Sequence, residues 1–176
     1  MDLRYPVGKF VLDNDVTPEK RRDWILQLDA LPRDVRNALA ELPPDGLDTP
    51  YRDGGWTARQ VVHHLADSHS NAYTRIKLAL TEETPALKTY EEQLWAEMPD
   101  SKTADVAPSL AILDGIHARL TIVLESLSPD QFTRTAMHPQ WGQITVDVLL
   151  QLYAWHSRHH VAHIGLVRSR SGVAAR

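Results

Sequence analysis

From the N-terminus, four long stretches of the chain bring apolar residues back every three or four positions, the period of a helix with one buried face. Residues 1 to 16 carry Pro6 and Gly8 with no lasting period and read as an extended arm. Thr17-Pro18-Glu19 is a helix start, with Thr17 as N-cap and Pro18 at the first helical position, where a missing N–H costs nothing. Ile25, Leu28, Leu31, Val35, Leu39 and Leu42 continue it, with Pro32 expected to kink or break the helix before Pro43-Pro44-Asp45-Gly46 ends it. Residues 47 to 56 form a loop rich in turn formers. Thr57-Ala58-Arg59-Gln60 is a capping box, and Trp56 before it can staple onto Val61. The second helix runs from about Ala58 to about Leu80 on Val61, Val62, Leu65, Ala72, Ile76 and Leu80.

Residues 86 to 104 are mixed, with a short helix expected over Tyr90–Met98 before Pro99. The third long helix spans about 106 to 127 on a stripe of Leu110, Leu113, His117, Leu120, Leu124 and Leu127. Ser128-Pro129-Asp130 suggests a short turn, and 132 to 144 a loop with a brief hairpin. Ile144 and Thr145 repeat the staple-and-cap pattern, with Leu149 as partner, and open a helix from about Val146 to Arg170. There is no internal repeat and no low-complexity run. Four long helices joined by connections of about 10 to 25 residues predict an all-α four-helix bundle with one or two long crossovers, the whole of 1–176 as one domain.

Composition narrows what such a bundle can do. At 176 residues and 43% hydrophobic, the chain is long and apolar enough for one buried core. The net charge of −4 argues against a nucleic-acid footprint, and Arg168, Arg170 and Arg176 are too few and too tail-like to supply one. No run approaches 18 apolar residues and the N-terminus lacks an apolar signal segment, so a cytoplasmic protein without membrane spans is expected. Cysteine is absent, so any metal must be held by nitrogen and oxygen.

Histidine then changes the picture. Seven of the nine fall in two stretches, His63-His64-Leu65-Ala66-Asp67-Ser68-His69 and His156-Ser157-Arg158-His159-His160-Val161-Ala162-His163. Helix residues four apart share a face about 6 Å apart, so His156 with His160, or His159 with His163, is a ready pair of imidazoles. The first pair lies on the stripe Leu149, Tyr153, Ile164, Val167; the second lies on Leu152, Trp155, Leu166. Periodicity does not choose between them. On the second helix His64 shares a face with Val61, Leu65 and Ser68, His69 one with Val62, Leu65, Ala72 and Ile76, and His63 points more outward. A third imidazole from that helix would complete a three-histidine site with open positions, the catalytic rather than the closed structural arrangement.

Three segments, Asp48-Thr-Pro-Tyr-Arg-Asp-Gly-Gly-Trp-Thr-Ala-Arg-Gln-Val-Val-His-His-Leu-Ala-Asp-Ser-His69, Leu80-Thr-Glu-Glu-Thr-Pro85 and Tyr153-Ala-Trp-His-Ser-Arg-His-His-Val-Ala-His-Ile164, resemble the YfiT-like branch of the DinB superfamily, as does the opening Tyr5-Pro-Val-Gly8. The resemblance implies a DinB-like four-helix bundle, usually a homodimer, with one divalent metal ion per subunit, zinc or nickel. It implies one histidine from the second helix, the one directly before a leucine, here His64, and the pair His156 and His160, followed as in the family by a small residue, a polar residue and Ile164; His163 stands where the family often has Gln. It implies a metal-dependent hydrolase that activates water, or a thiol S-transferase that turns a low-molecular-weight thiol such as bacillithiol into a nucleophile. A non-catalytic metal-binding stress-response module is the third reading. The substrate would be a small molecule, with neither nucleic acid nor membrane as partner.

Other residues carry weaker expectations. Asp67, Ser157 and Tyr153 are candidates for supporting hydrogen bonds to the ligands. Tyr51, Arg52 and Asp53 could line the mouth of a site, although a loop fixed by its own hydrogen bonds explains them better. His117 reads as a core or rim histidine. His138 is left unassigned, and the five tryptophans read as packing anchors.

Overall fold

A computed structural model describes residues 2–170; Arg176 lies outside the described residues. The elements, in order, are α1 (Pro18–Ala40), α2 (Ala58–Thr81), α3 (Glu92–Ala96), α4 (Pro99–Thr103), α5 (Ala107–Glu125), β1 (Thr135–His138), β2 (Gly142–Thr145) and α6 (Val146–Arg170). The four long helices form a ring in which α1 and α2 each pack on both α5 and α6. The connections 41–57 and 126–145 therefore cross the bundle diagonally, which is why they are long. The all-α four-helix bundle expected from the periodicity is the fold, with one small antiparallel hairpin, β1–β2, pairing Thr135 with Thr145 through His138 with Gly142.

The helix starts form as their sequences require. The Thr17 side chain accepts from Lys20 N–H, and Thr57 and Gln60 make the reciprocal capping box at the head of α2. Thr145 Oγ1 accepts from Val148 N–H to open α6. At the far end of α2, the Arg134 guanidinium donates to the Ala79 and Glu82 carbonyls, meeting acceptors that the helix leaves open. Pro32 does not break α1, which runs through it, but it cannot supply the N–H that Leu28 C=O would otherwise receive. The expected helix over 90–98 is shorter, 92–96, because Pro99 opens α4 at its own first turn instead of merely ending the one before.

Packing divides the interior in two. One apolar cluster holds Leu28, Ile76, Leu120, Leu124, Leu149 and Tyr153; the other holds Leu31, Val35, Val61, Leu65, Leu113, Ile164 and Val167. Between them every helix changes cluster: Leu28 to Leu31 on α1, Leu65 to Ala72 on α2, Leu113 to Leu120 on α5, Tyr153 to Ile164 on α6. The residues that fall in the gap on α2, α5 and α6 include His69, His117, His156, His159, His160 and His163. A layer of imidazole thus crosses the bundle between two greasy halves. Contrary to the expectation from run length, α5 is long and apolar enough by composition to cross a membrane. Its apolar stripe packs on α1 and α2, as a core helix of a bundle does.

Candidate metal centre

His64 lies two turns into α2, at the edge of the polar layer and directly before Leu65, in a helix opened by the Thr57–Gln60 capping box. His156 and His160 come from consecutive turns of α6. One ring nitrogen from each of the three lies within 4.8 Å of the others, and His64 Nε2 stands 3.2 Å from His156 Nε2. That separation is close to the edge of a tetrahedron of nitrogens around a zinc-sized ion, about 3.3 Å for metal–nitrogen distances near 2.0–2.1 Å.

Burial keeps these rings neutral. It pushes His64 down to about 4, helped by neighbouring His159 and His163, and holds His156 and His160 well below the ordinary histidine value, with the surrounding imidazoles adding to the effect. Two bare Nε2 lone pairs at 3.2 Å repel unless a proton or a cation lies between them. The donor set therefore fits a borderline divalent ion: neutral imidazoles, no thiolate, and no carboxylate in the cluster. The second pair left open by periodicity is also present, since nitrogens of His159, His160 and His163 likewise lie within 4.8 Å of one another.

The three rings open onto a cavity of about 520 Å³. Trp56 packs over His64 at 4.7 Å between ring centroids, Tyr51 stacks on His163 at 4.0 Å, and Trp155 on His159 at 4.4 Å. Arg75 reaches the cavity wall, donating to Tyr153 Oη at 2.8 Å and to the Lys88 carbonyl. The N-terminal arm closes one side. Gln151 exchanges hydrogen bonds with the Asp13 main chain, Trp155 Nε1 donates to Gly8 C=O, and Phe10 sits between Trp141 and Trp155.

Several weaker expectations are revised. Asp67 makes no hydrogen bond to the candidate ligands among the described residues; burial and nearby Asp100 raise its carboxyl to about 6. Ser157 donates back to the Tyr153 carbonyl inside its own helix. His63 is not outward-facing but buried, its Nδ1 2.8 Å from Ser109 Oγ, because the chain from α4 into α5 covers that face of α2. Tyr51 and Arg52 do line the cavity, whereas Asp53 pairs with Arg170. His117 is a core residue behind His69, and His138 lines the cavity beside Trp141. Trp56, Trp141 and Trp155 are cavity walls as well as packing anchors. The contact that sequence reasoning missed is His69, whose Nε2 lies 3.2 Å from His156 Nδ1. Its placement on the Val62–Leu65–Ala72–Ile76 face announced burial, but nothing in the sequence pointed it at α6.

Known proteins share this arrangement of helices. The DinB superfamily pattern matches residues 27–164. YfiT of Bacillus subtilis, provisionally named a metal-dependent hydrolase, is 48% identical over 173 residues, covering 98% of this chain and 97% of that protein. A protein of Bacillus cereus strain B4264 with the same provisional name is 48% identical over 169 residues, 96% of this chain and 97% of its own. The solved structure of Bacillus subtilis YfiT, described with an unusual four-helix bundle topology, matches with a TM-score of 0.93 at 47% identity, over 99% of this chain and 100% of that one. With the family pattern spanning most of its length and relatives nearly half identical from end to end, this chain belongs to the DinB superfamily, among its YfiT-like members.

Proposed function

We propose that the chain is a metal-dependent hydrolase in which His64, His156 and His160 hold one divalent ion, zinc or nickel, facing the cavity. The observation that carries this reading is the meeting of three neutral ring nitrogens from two distant helices within 4.8 Å, at the wall of a space large enough for a small molecule. The names of the relatives support the same class. Bound there, the ion would supply an uncancelled positive charge that brings the pKa of a water down toward ~7.

The chain's own residues do the rest. Trp56 and Tyr51 cover the imidazoles with apolar faces and thin the water around them. Burial raises the Tyr153 phenol above its ordinary value, so it keeps its proton at neutral pH. Because Arg75 already donates to Tyr153 Oη, the hydroxyl proton is directed away from the guanidinium and is free to be given to a substrate oxygen in the cavity. Tyr153 is accordingly the proton-bearing group of this site.

Metal analysis beside a panel of chromogenic esters and amides, with and without a low-molecular-weight thiol, tests the reading. Thiol-independent cleavage that needs the metal is expected. Turnover only in the presence of thiol would reassign the same site to thiol transfer, and bound metal without turnover would make it a non-catalytic binding module. His160→Ala should lose the ion, and a variant that keeps its full complement would overturn the ligand set.

A further inference from the structure

Both candidate ligands on α6 turn their second nitrogen toward another histidine. His156 Nδ1 lies 3.2 Å from His69 Nε2, and His160 Nδ1 lies 3.3 Å from His163 Nδ1. A histidine that binds metal through one nitrogen ordinarily donates the N–H of the other to a carboxylate, a carbonyl or water. Here the group standing in that place is, both times, a buried imidazole.

The proton count in each pair has a direction. One nitrogen must carry the hydrogen and the other must accept it. If His69 and His163 accept, then His156 and His160 carry their protons on Nδ1, and their Nε2 lone pairs are left bare; for His156 this is the atom that faces His64 Nε2. We propose that His69 and His163 are positioning residues that hold His156 and His160 in the Nε2-binding tautomer, so that the shell behind this metal centre is built of neutral histidine instead of carboxylate. The proposal rests on the metal-site reading above.

Behind His156 lie two further buried imidazoles, His69 and then His117. With its Nε2 accepting, His69 carries its own proton on Nδ1, an atom that is buried and has no other partner. Its ring lies against His117 with centroids 4.8 Å apart, and both nitrogens of His117 are also buried without a hydrogen bond. Burial lowers His117, and the nearby Leu28 main chain opposes that by favouring its charged form. The Leu28 carbonyl is the one that Pro32 leaves without a helical donor. The rings of His156, His69 and His117 thus follow one another across the bundle in ring contact, on the way to the α1 turn that Pro32 shapes. The second pair is held differently: Tyr51 stacks on His163 at 19° between ring planes, and the Leu3 and Arg4 main chain lies by its ring.

A rival arrangement would make His163 itself a ligand, with His159 and His160. The two assignments separate by experiment. Long-range ¹H–¹⁵N spectra of histidine-labelled, metal-free protein at pH 7.5 should show His156 and His160 protonated on Nδ1. Zinc affinity measured by chelator competition should fall ten- to a hundredfold in His69→Phe and in His163→Phe, with one ion still bound per chain. His69→Gln and His163→Gln, whose amide oxygen can accept the same hydrogen, should recover most of that loss. Wild-type affinity in the Phe variants, no recovery with Gln, or Nε2–H tautomers in the spectra would overturn the proposal. Complete loss of zinc in His163→Phe, or two ions in the wild type, would establish the rival. Retention of zinc by His64→Ala and His160→Ala would instead break the metal-site reading itself. Should a Phe variant fail to fold, the wild-type spectra still decide.

Discussion

Single residues in this protein act through what burial does to their charge. His64, His117, His159 and His163 are each pushed down to about 4 by burial, while the unfolded chain offers them an ordinary value near 6.5. Between those limits the unfolded state binds more protons, so stability rises with pH through this window and is lost as pH falls from about 6.5 toward 4. Asp67 works the other way: its folded value of about 6 lies above the ordinary 3.8, so its contribution is lost as pH rises across that range. Four groups outweigh one. Thermal melts of metal-free protein should therefore drop steadily from pH 7 to pH 5, and a flat profile would show that the imidazoles are not neutral and buried as described. Tyr153 gives a second residue-scale expectation. Tyr153→Phe removes the hydroxyl but keeps the ring against His69 and His156, so metal content should be unchanged while kcat falls at least tenfold. Unaltered turnover would remove Tyr153 from the chemistry. At this scale the sequence already showed the unusual density of histidine. It could not show which rings met, because His156 and His159 differ by less than a third of a turn and only packing against α2 distinguishes them.

Among the elements, the capped starts of α2 and α6 stabilise the two helices that carry the candidate ligands, by meeting backbone donors that a first turn leaves open. Thr57→Ala removes the side chain that accepts from Gln60 N–H and should cost about 1 kcal/mol, lowering the melting temperature by about 2–4 °C. Zinc affinity of the folded fraction should hardly change, because His64 lies two turns inside a helix that stays packed on α5 and α6. A large loss of affinity would mean that the cap positions the site rather than merely stabilising the helix. These starts were legible in advance because capping residues act on their immediate neighbours. The short elements were less so. Residues 92–103 form two five-residue helices with little periodicity to read, and their placement depends on a contact: Gln60 of α2 donates to the Ala96 carbonyl.

For the molecule as a whole, the helices are tied across sequence distances that no local rule reaches. Arg21 of α1 meets Asp147 of α6 in a bidentate pair at 2.8 and 2.6 Å, largely shielded from water, with the guanidinium over the Phe132 ring. Arg21→Met strands a shielded carboxylate and should destabilise by about 2 kcal/mol, read by denaturant melts. Pairing it with Asp147→Leu should return most of that loss, as two apolar groups replace two charges. If the double variant were weaker than the single, the pair would be contributing more than the relief of a stranded charge. The division of the core into two apolar clusters is likewise a property of the whole. It places the polar layer at one level of the bundle, and the diagonal crossings 41–57 and 126–145 bring α2 and α6 side by side at that level.

The sequence alone determined the number of long helices, where they begin, which stripe each buries, and that histidine would be concentrated on two of them. These are consequences of backbone periodicity and capping, which act within a few residues. Tertiary structure decided the neighbours. It set α2 against α6 and not against α1, turned His64 toward His156, and brought His69 up behind the same ring. It also gave Pro32, which locally reads as a helix breaker, a place in an unbroken α1, with the main chain of Leu28 one turn before it lying beside the buried His117 of α5. Side-chain packing over distances of ninety residues makes those choices, and no local pattern along the chain encodes them.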